Sequence, residues 1–221
     1  MLTITSLRRS GGFNLVEVMV VVAILGIVSA TGLPALTDWI RNTRVHSTAE
    51  AVQGALQTAR SEAIRANRRV FLSFTSSLDD SCAESNSGPG WVISLCPVIG
   101  KCGSAADKNA SFPSGGCGST PLILAKGTIP NSTTTSFAVP NPRTCFGALG
   151  MIIDKNTRPT NSDCQDTLTP SPQVAIDVSD LTGSCVASGG DIRCLRIGVT
   201  NGGLIRMCDP AVTASDDPRK C

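Results

Sequence analysis

A chain of 221 residues, 41% apolar and only 4% aromatic, holds one domain of ordinary size plus a membrane element, and a formal charge of +2 excludes a general polyanion binder. Without Arg8 and Arg9, 17 basic residues face 17 acidic ones; from Val70 to Cys221 the balance is 11 against 13, so any nucleic-acid site must be local. Ten cysteines, at Cys82, Cys96, Cys102, Cys117, Cys145, Cys164, Cys185, Cys194, Cys208 and Cys221, all follow the apolar N-terminal run, and an even count there points to disulfides in an oxidising compartment.

The chain opens with MLTITSLRRSGG, then runs into GFNLVEVMVVVAILGIVSATGLPAL. From Val18 to Thr37 there are 20 residues without a charge, about the length a helix needs to cross a bilayer. Glu17 stands at the edge of this run, although a carboxylate near the bilayer centre costs roughly 2.5–3.5 kcal/mol on insertion scales. Three readings compete: a secretory signal cleaved near Val28–Ala30, an uncleaved anchor, and a chain cut between Gly12 and Phe13. Glu17 favours the third. A secretory signal or bare anchor gains nothing from it, whereas a cut after Gly12 exposes an α-amino group at Phe13 that can neutralise Glu17 of a neighbouring subunit when helices pack side by side.

Gly12-Phe13-Asn14-Leu15-Val16-Glu17 followed by VMVVVAILGI resembles the class III signal of type IV pilins and type II secretion pseudopilins. The resemblance implies cleavage after Gly12 by an inner-membrane prepilin peptidase, methylation of Phe13, and guidance of subunit addition by Glu17. Asn14 replaces the threonine usual in that family.

Gly32 and Pro34 predict a kink or a melted turn, since proline removes an amide donor and glycine loosens the backbone. Beyond them Val45, Ala49, Val52, Leu56, Ala59 and Ala63 recur at alternating steps of four and three, which places them on one helical face that docks on a globular domain. The arginines among them (41, 44, 60, 65, 68 and 69) read as a solvated face, and His46, a lone histidine with no acid or nucleophile expected nearby, reads as structural or exposed. The stretch ALQTARSEAIRANRRVFLSF, and Ala59-Arg60-Ser61-Glu62-Ala63 within it, resembles the GspH/FimT branch of minor pilins and pseudopilins. Glu62 and Arg65 are spaced for a weak surface ion pair of a few tenths of a kcal/mol.

From Val70 short apolar runs alternate with Gly, Pro, Ser and Asn clusters, the pattern of an all-β domain. The expected strands are VFLSF (70–74), WVISL (91–95), PLILA (121–125), SFAVP (136–140), GMIID (150–154), QVAIDV (173–178), IRCLRIGVT (192–200) and LIRMC (204–208). Long polar, cysteine-bearing segments between them read as disulfide-pinned loops. Pairing neighbours (82 with 96, 102 with 117, 145 with 164, 185 with 194, 208 with 221) closes short loops throughout.

TNGG (200–203) is a hairpin signal, because Asn and Gly accept the positive φ of tight turns. Arg193, Arg196 and Arg206 ride on this hairpin, with Arg219 and Lys220 near if a Cys221 disulfide returns the tail. FimT-type members carry Gly-Arg-x-Arg here and are associated with DNA capture; this chain reads Gly203-Leu204-Ile205-Arg206, so only the second arginine matches. A structural or subunit-contact hairpin is the favoured reading, and weak DNA binding the alternative.

No nucleophile motif or phosphate-cradling loop supports an enzyme or a cofactor. Without a Cys-x-x-Cys pair, and with Asp79, Asp80, Asp216 and Asp217 lacking EF-hand spacing, no metal is expected. The expected fold is α+β: a long N-terminal helix packed on an antiparallel β-sandwich-like domain. Its parts are a cleaved leader (1–12), a transmembrane helix (13–37), an amphipathic continuation (38–69) and a periplasmic β domain (70–221). The leader's arginines keep the N-terminus cytoplasmic. The resemblance implies other pilin or pseudopilin subunits, prepilin peptidase and an inner-membrane assembly platform as partners, and a low-abundance place near a filament tip.

Overall fold

The computed structural model describes residues 14–97, 100–107, 109, 122–153 and 174–221, with the side chains of 31–35 outside that description. The cleavage pair Gly12 and Phe13, and Cys117 and Cys164, lie outside the described residues. Two compact units meet in sequence at residue 40: Met1–Ile40 and Arg41–Cys221.

Helix α1 runs Leu15–Ala66. Asn14 is its N-cap, with Oδ1 accepting from the Val16 amide at 3.3 Å and its carbonyl from Val18 at 3.2 Å. Asn is among the preferred N-cap residues, so Asn14 starts the helix well. The expected melted turn is not seen: the backbone stays helical through Gly32 and Pro34. Proline removes one intrahelical bond and leaves those of its neighbours to carry the turn. The helix ends three residues earlier than expected, where Asn67 takes φ +49°. The amides of Asn67 and Arg68 donate to Ile64 and Ala63 at 3.1 and 3.2 Å, the paired bonds of a left-handed C-cap.

In the first unit the side chains from Leu15 to Val28 are exposed. Among the described residues no helix is long and apolar enough to cross a membrane. The uncharged run Val18–Thr37 is interrupted by the five undescribed side chains.

Among the described residues of the second unit, eight strands form two antiparallel sheets. The first has the order β3-β2-β1-β5, with β1 Val70–Thr75, β2 Gly90–Ser94, β3 Ile123–Thr128 and β5 Arg143–Phe146. The second has the order β4-β6-β7-β8, with β4 Thr135–Ala138, β6 Val174–Asp180, β7 Leu195–Val199 and β8 Ile205–Cys208. All six residues of the α1 stripe, Val45 through Ala63, are fully buried. They share one core with Leu72, Phe74, Ile93 and Phe146 of the first sheet and Phe137, Ile176, Val178 and Ile197 of the second. Phe74 and Phe137 join the sheets with ring centroids 5.5 Å apart, worth about 0.5–1.5 kcal/mol beyond area burial. Thr48 Oγ1 ties the helix to the second sheet, donating to the Pro130 carbonyl at 3.0 Å beside Thr135 Oγ1 at 2.9 Å.

Three strand expectations shift. PLILA moves to Ile123–Thr128, and GMIID yields only an isolated bridge from Ile152 to Phe146. Arg143–Phe146 is a strand the local pattern did not reveal, because Pro140, Pro142 and an arginine mask it and its pairing with β1 is long-range. Arg143 is no solvated charge: Nη2 lies 2.6 Å from Glu84, with side chains 12% and 19% exposed.

Disulfides join Cys185 to Cys194 and Cys208 to Cys221, as neighbour pairing predicts. Cys82 instead bonds Cys102, which corrects the pairs 82–96 and 102–117. Loop entropy separates the two choices for Cys82 by only about 0.3 kcal/mol, so local structure decides. The Gly100 amide donates to the Cys82 carbonyl at 3.0 Å and brings Cys102 into a small cluster with Val92 and Ile123. Cys96 and Cys145 are disulfide-bonded as well.

Candidate functional site

Glu17 occupies the first turn of α1, where a carboxylate complements the helix dipole. It is exposed among exposed apolar neighbours, Leu15, Val16, Val18 and Met19. A helix end of this composition presents one charge in an apolar surface and no partner for it among the described residues.

The block Ala59-Arg60-Ser61-Glu62-Ala63 acquires a structural meaning. Ala59 and Ala63 let the helix approach the sheets, while Arg60 Nε donates to the Gly150 carbonyl at 3.2 Å. Glu62 is 9% exposed and accepts from Arg65 Nε at 2.6 Å, so the pair is half-buried rather than a loose surface contact. Arg69 lies over the Phe71 ring, 4.9 Å from its centroid. The helix-end arginines are thus engaged with the fold more than a solvated face would be. His46 is exposed, as expected, but an acid does lie beside it: Nδ1 is 3.3 Å from Glu50 one turn on, an exposed pair created by the i,i+4 spacing.

Arg60 meets the hairpin at Gly203, which has φ +77° and abuts the Gly150 carbonyl. The turn closes through Gly203 N–H to Thr200 O at 2.7 Å and Thr200 N–H to Leu204 O at 2.9 Å, with Val199 opposite Ile205. Sequence reasoning found the turn but not its junction with Arg60 and Gly150. The nearest signal was the conjunction of the arginine-bearing block with a glycine at 203.

The three hairpin arginines are not brought together as a bank of free cations. Arg196 is held bidentately by Asp177 at 2.6 and 3.0 Å, and this hydrogen bonding keeps its guanidinium charged beyond the ordinary range. Arg193 Nε lies 3.0 Å from Asp209, whose side chain is 5% exposed, and its amide donates to Asn42 of α1. Arg206 faces out beside Gly198 on the β7–β8 ladder, with a long contact of 3.4 Å to the Lys220 carbonyl. The geometry therefore lends no support to the DNA-binding alternative.

The Cys208–Cys221 bond does return the tail to the domain, where Asp209 and Lys220 pair through a backbone β-bridge and the Asp209 amide donates to the Arg219 carbonyl at 2.7 Å. Arg219 caps Asp217 with two bonds of 3.1 and 2.7 Å, and these, above all, lower the Asp217 carboxyl to about 2. A depressed acid contributes stability that is complete above the unfolded value near pH 4 and is lost as pH falls through about 2. A carboxyl 13C titration is expected to place the Asp217 midpoint near 2, and Arg219→Ala to return it toward 4; a wild-type midpoint near 4 would refute the pair. Elsewhere, burial pushes the Asp180 carboxyl up, but hydrogen bonds from Thr182 and Gly183 and the charge of Arg41 outweigh it, so its pKa is lowered. Asp79 is turned onto Ser77 and Ser81. Among the described residues no His, Cys, Asp and Glu cluster could hold a metal ion.

A helix packed on disulfide-bearing antiparallel sheets, behind the prokaryotic N-terminal methylation motif that matches residues 7–33, defines a type IV pilin-like subunit. The family described as type II transport protein GspH matches residues 48–203, and the chain belongs to that family. Two curated relatives from Pseudomonas aeruginosa, each named fimbrial protein, are 36% identical over 69 residues, which is 31% of this chain and 44% of theirs. This chain thus spans under half the length of those relatives. Two crystal structures of the Pseudomonas aeruginosa type IV minor pilin FimU are similar at 17% and 16% identity, with TM-scores of 0.45 and 0.42. They cover 75% and 73% of this chain and 88% and 90% of their own.

Proposed function

We propose that this GspH-family chain is a minor pilin or pseudopilin, cut after Gly12 by prepilin peptidase, methylated at Phe13, and held in the inner membrane by residues 13–37 with residues 70–221 in the periplasm. From there an assembly platform adds it near the tip of a filament. The observation that carries this reading is the single carboxylate of Glu17 in the apolar first turn of α1, inside the matched methylation motif. An amine created at Phe13, four residues before Glu17 in sequence, would come within reach of the next subunit's Glu17 when such helices pack in parallel, and the pair would remove the cost of burying either charge alone.

The family description favours a secretion pseudopilus, whereas the fimbrial relatives favour a pilus. Deleting the chain and assaying enzyme secretion, twitching and transformation separately distinguishes these filaments. Mass spectrometry of the native protein is expected to give a first peptide beginning with N-methyl-phenylalanine at position 13. A chain that begins at Met1 or at Thr31 overturns the assignment.

A further inference from the structure

Gly198 sits in the middle of β7, where a glycine costs about 0.5–1 kcal/mol relative to alanine. Neither of the usual reasons explains it. Its φ is not among the positive values, and a Cβ built there would meet nothing within 4 Å. The fold leaves this place open on the outer face of the second sheet, and a strand glycine of that kind marks where another group approaches.

Around it the register builds a cleft of about 230 Å³. Gly198 and Ala175 form the floor, Arg196 and Arg206 the walls, Leu204 one end, and the Cys208–Cys221 disulfide the other. Among the described residues, two guanidinium groups and no acidic side chain line it. Asp177 neutralises Arg196 from outside the cleft, so Arg206, whose one hydrogen bond among the described residues is the long contact to Lys220 O, supplies the charge in excess. Leu204 is 59% exposed and offers an apolar contact beside that charge.

We propose that this cleft docks an extended segment of a partner protein, seating one carboxylate side chain against Arg206 and an apolar neighbour against Leu204. The volume is below the roughly 300–1,000 Å³ of small-molecule sites, so it suits one or two side chains. One cation in excess is too little for a phosphate backbone, whose affinity grows with the number of charges neutralised. A carboxylate on a planar guanidinium is the short-range pairing the geometry favours. This inference is independent of how the N-terminus is processed.

The test uses the full-length protein, 15N-labelled in detergent micelles, and the probe N-acetyl-Leu-Glu-Leu-amide. Saturable shifts are expected at Gly198, Leu204 and Arg206, with the Gln analogue at least about tenfold weaker. Arg206→Ala and Gly198→Val should each abolish them, the valine by filling the floor while suiting a strand. The proposal is overturned by no saturation below about 10 mM, by equal binding of the Glu and Gln peptides, or by retention in Gly198→Val. Tighter binding of inorganic phosphate or a short DNA duplex at the same residues overturns it as well. Should Arg206→Ala unfold, Gly198→Val decides.

Discussion

A Glu17→Val chain is expected to be cleaved and inserted as well as the parent yet to disappear from sheared filaments by roughly two to three orders of magnitude. Insertion should not suffer, because valine removes a carboxylate that costs about 2.5–3.5 kcal/mol at the bilayer centre. Assembly should suffer, because the N-terminal amine of the neighbouring subunit that would pair with Glu17 then sits in an apolar filament core without a counter-charge. Removing one member of a buried pair costs about 3–5 kcal/mol, more than the pair itself contributes over an apolar replacement. Immunoblots of sheared and cellular fractions measure incorporation, and mass spectrometry of the same cells reports cleavage, so the two failures separate. Incorporation of the valine chain at the parental level refutes the role assigned to Glu17.

Gly203→Ala is expected to lower the stability of the folded domain by about 3–5 kcal/mol. Two costs add. The residue is held at φ +77°, a left-handed conformation that an L side chain resists by about 1–2 kcal/mol. A Cβ there would also collide with the Gly150 carbonyl, which is fixed from its other side by Arg60. Relaxing the clash means moving the β7–β8 turn or the loop that carries Gly150, and the turn is continuous with the core strands that end at Val199 and begin at Ile205. Denaturant unfolding of the oxidised protein measures the loss, and a change below about 1 kcal/mol would show that the junction is slack. Gly198→Ala is the internal control: a Cβ there meets open space, and stability should be unchanged or slightly raised.

The α1 stripe was legible in full because its information is local: six positions at alternating steps of four and three, all of them now buried. The alternating strands β6 and β7 and the hairpin before β8 were legible for the same reason. Arg143–Phe146 was not, since the partner that makes it a strand is β1, about seventy residues earlier. Cys82 defeated nearest-neighbour pairing because the turn at Gly100, and not loop length, chooses its partner. At the hairpin, charge was readable but its neutralisation was not. Arg196 and Asp177 lie on adjacent strands, and Arg193 meets an aspartate beyond the next turn, so counting arginines overstated the available charge. The junction of Arg60, Gly150 and Gly203 lies beyond any local pattern, because it is built from three distant segments.

Because the buried stripe begins at Val45, the position of a protease cut decides between release and collapse. A nick before Arg41 would leave the second unit with every buried helical residue of its core. A nick a few turns later would strip the wall from both sheets and leave their inward faces to aggregate. The stretch just ahead of Arg41 is therefore where such a protein tolerates severance, and Val45 to Ala63 is where it must be shielded.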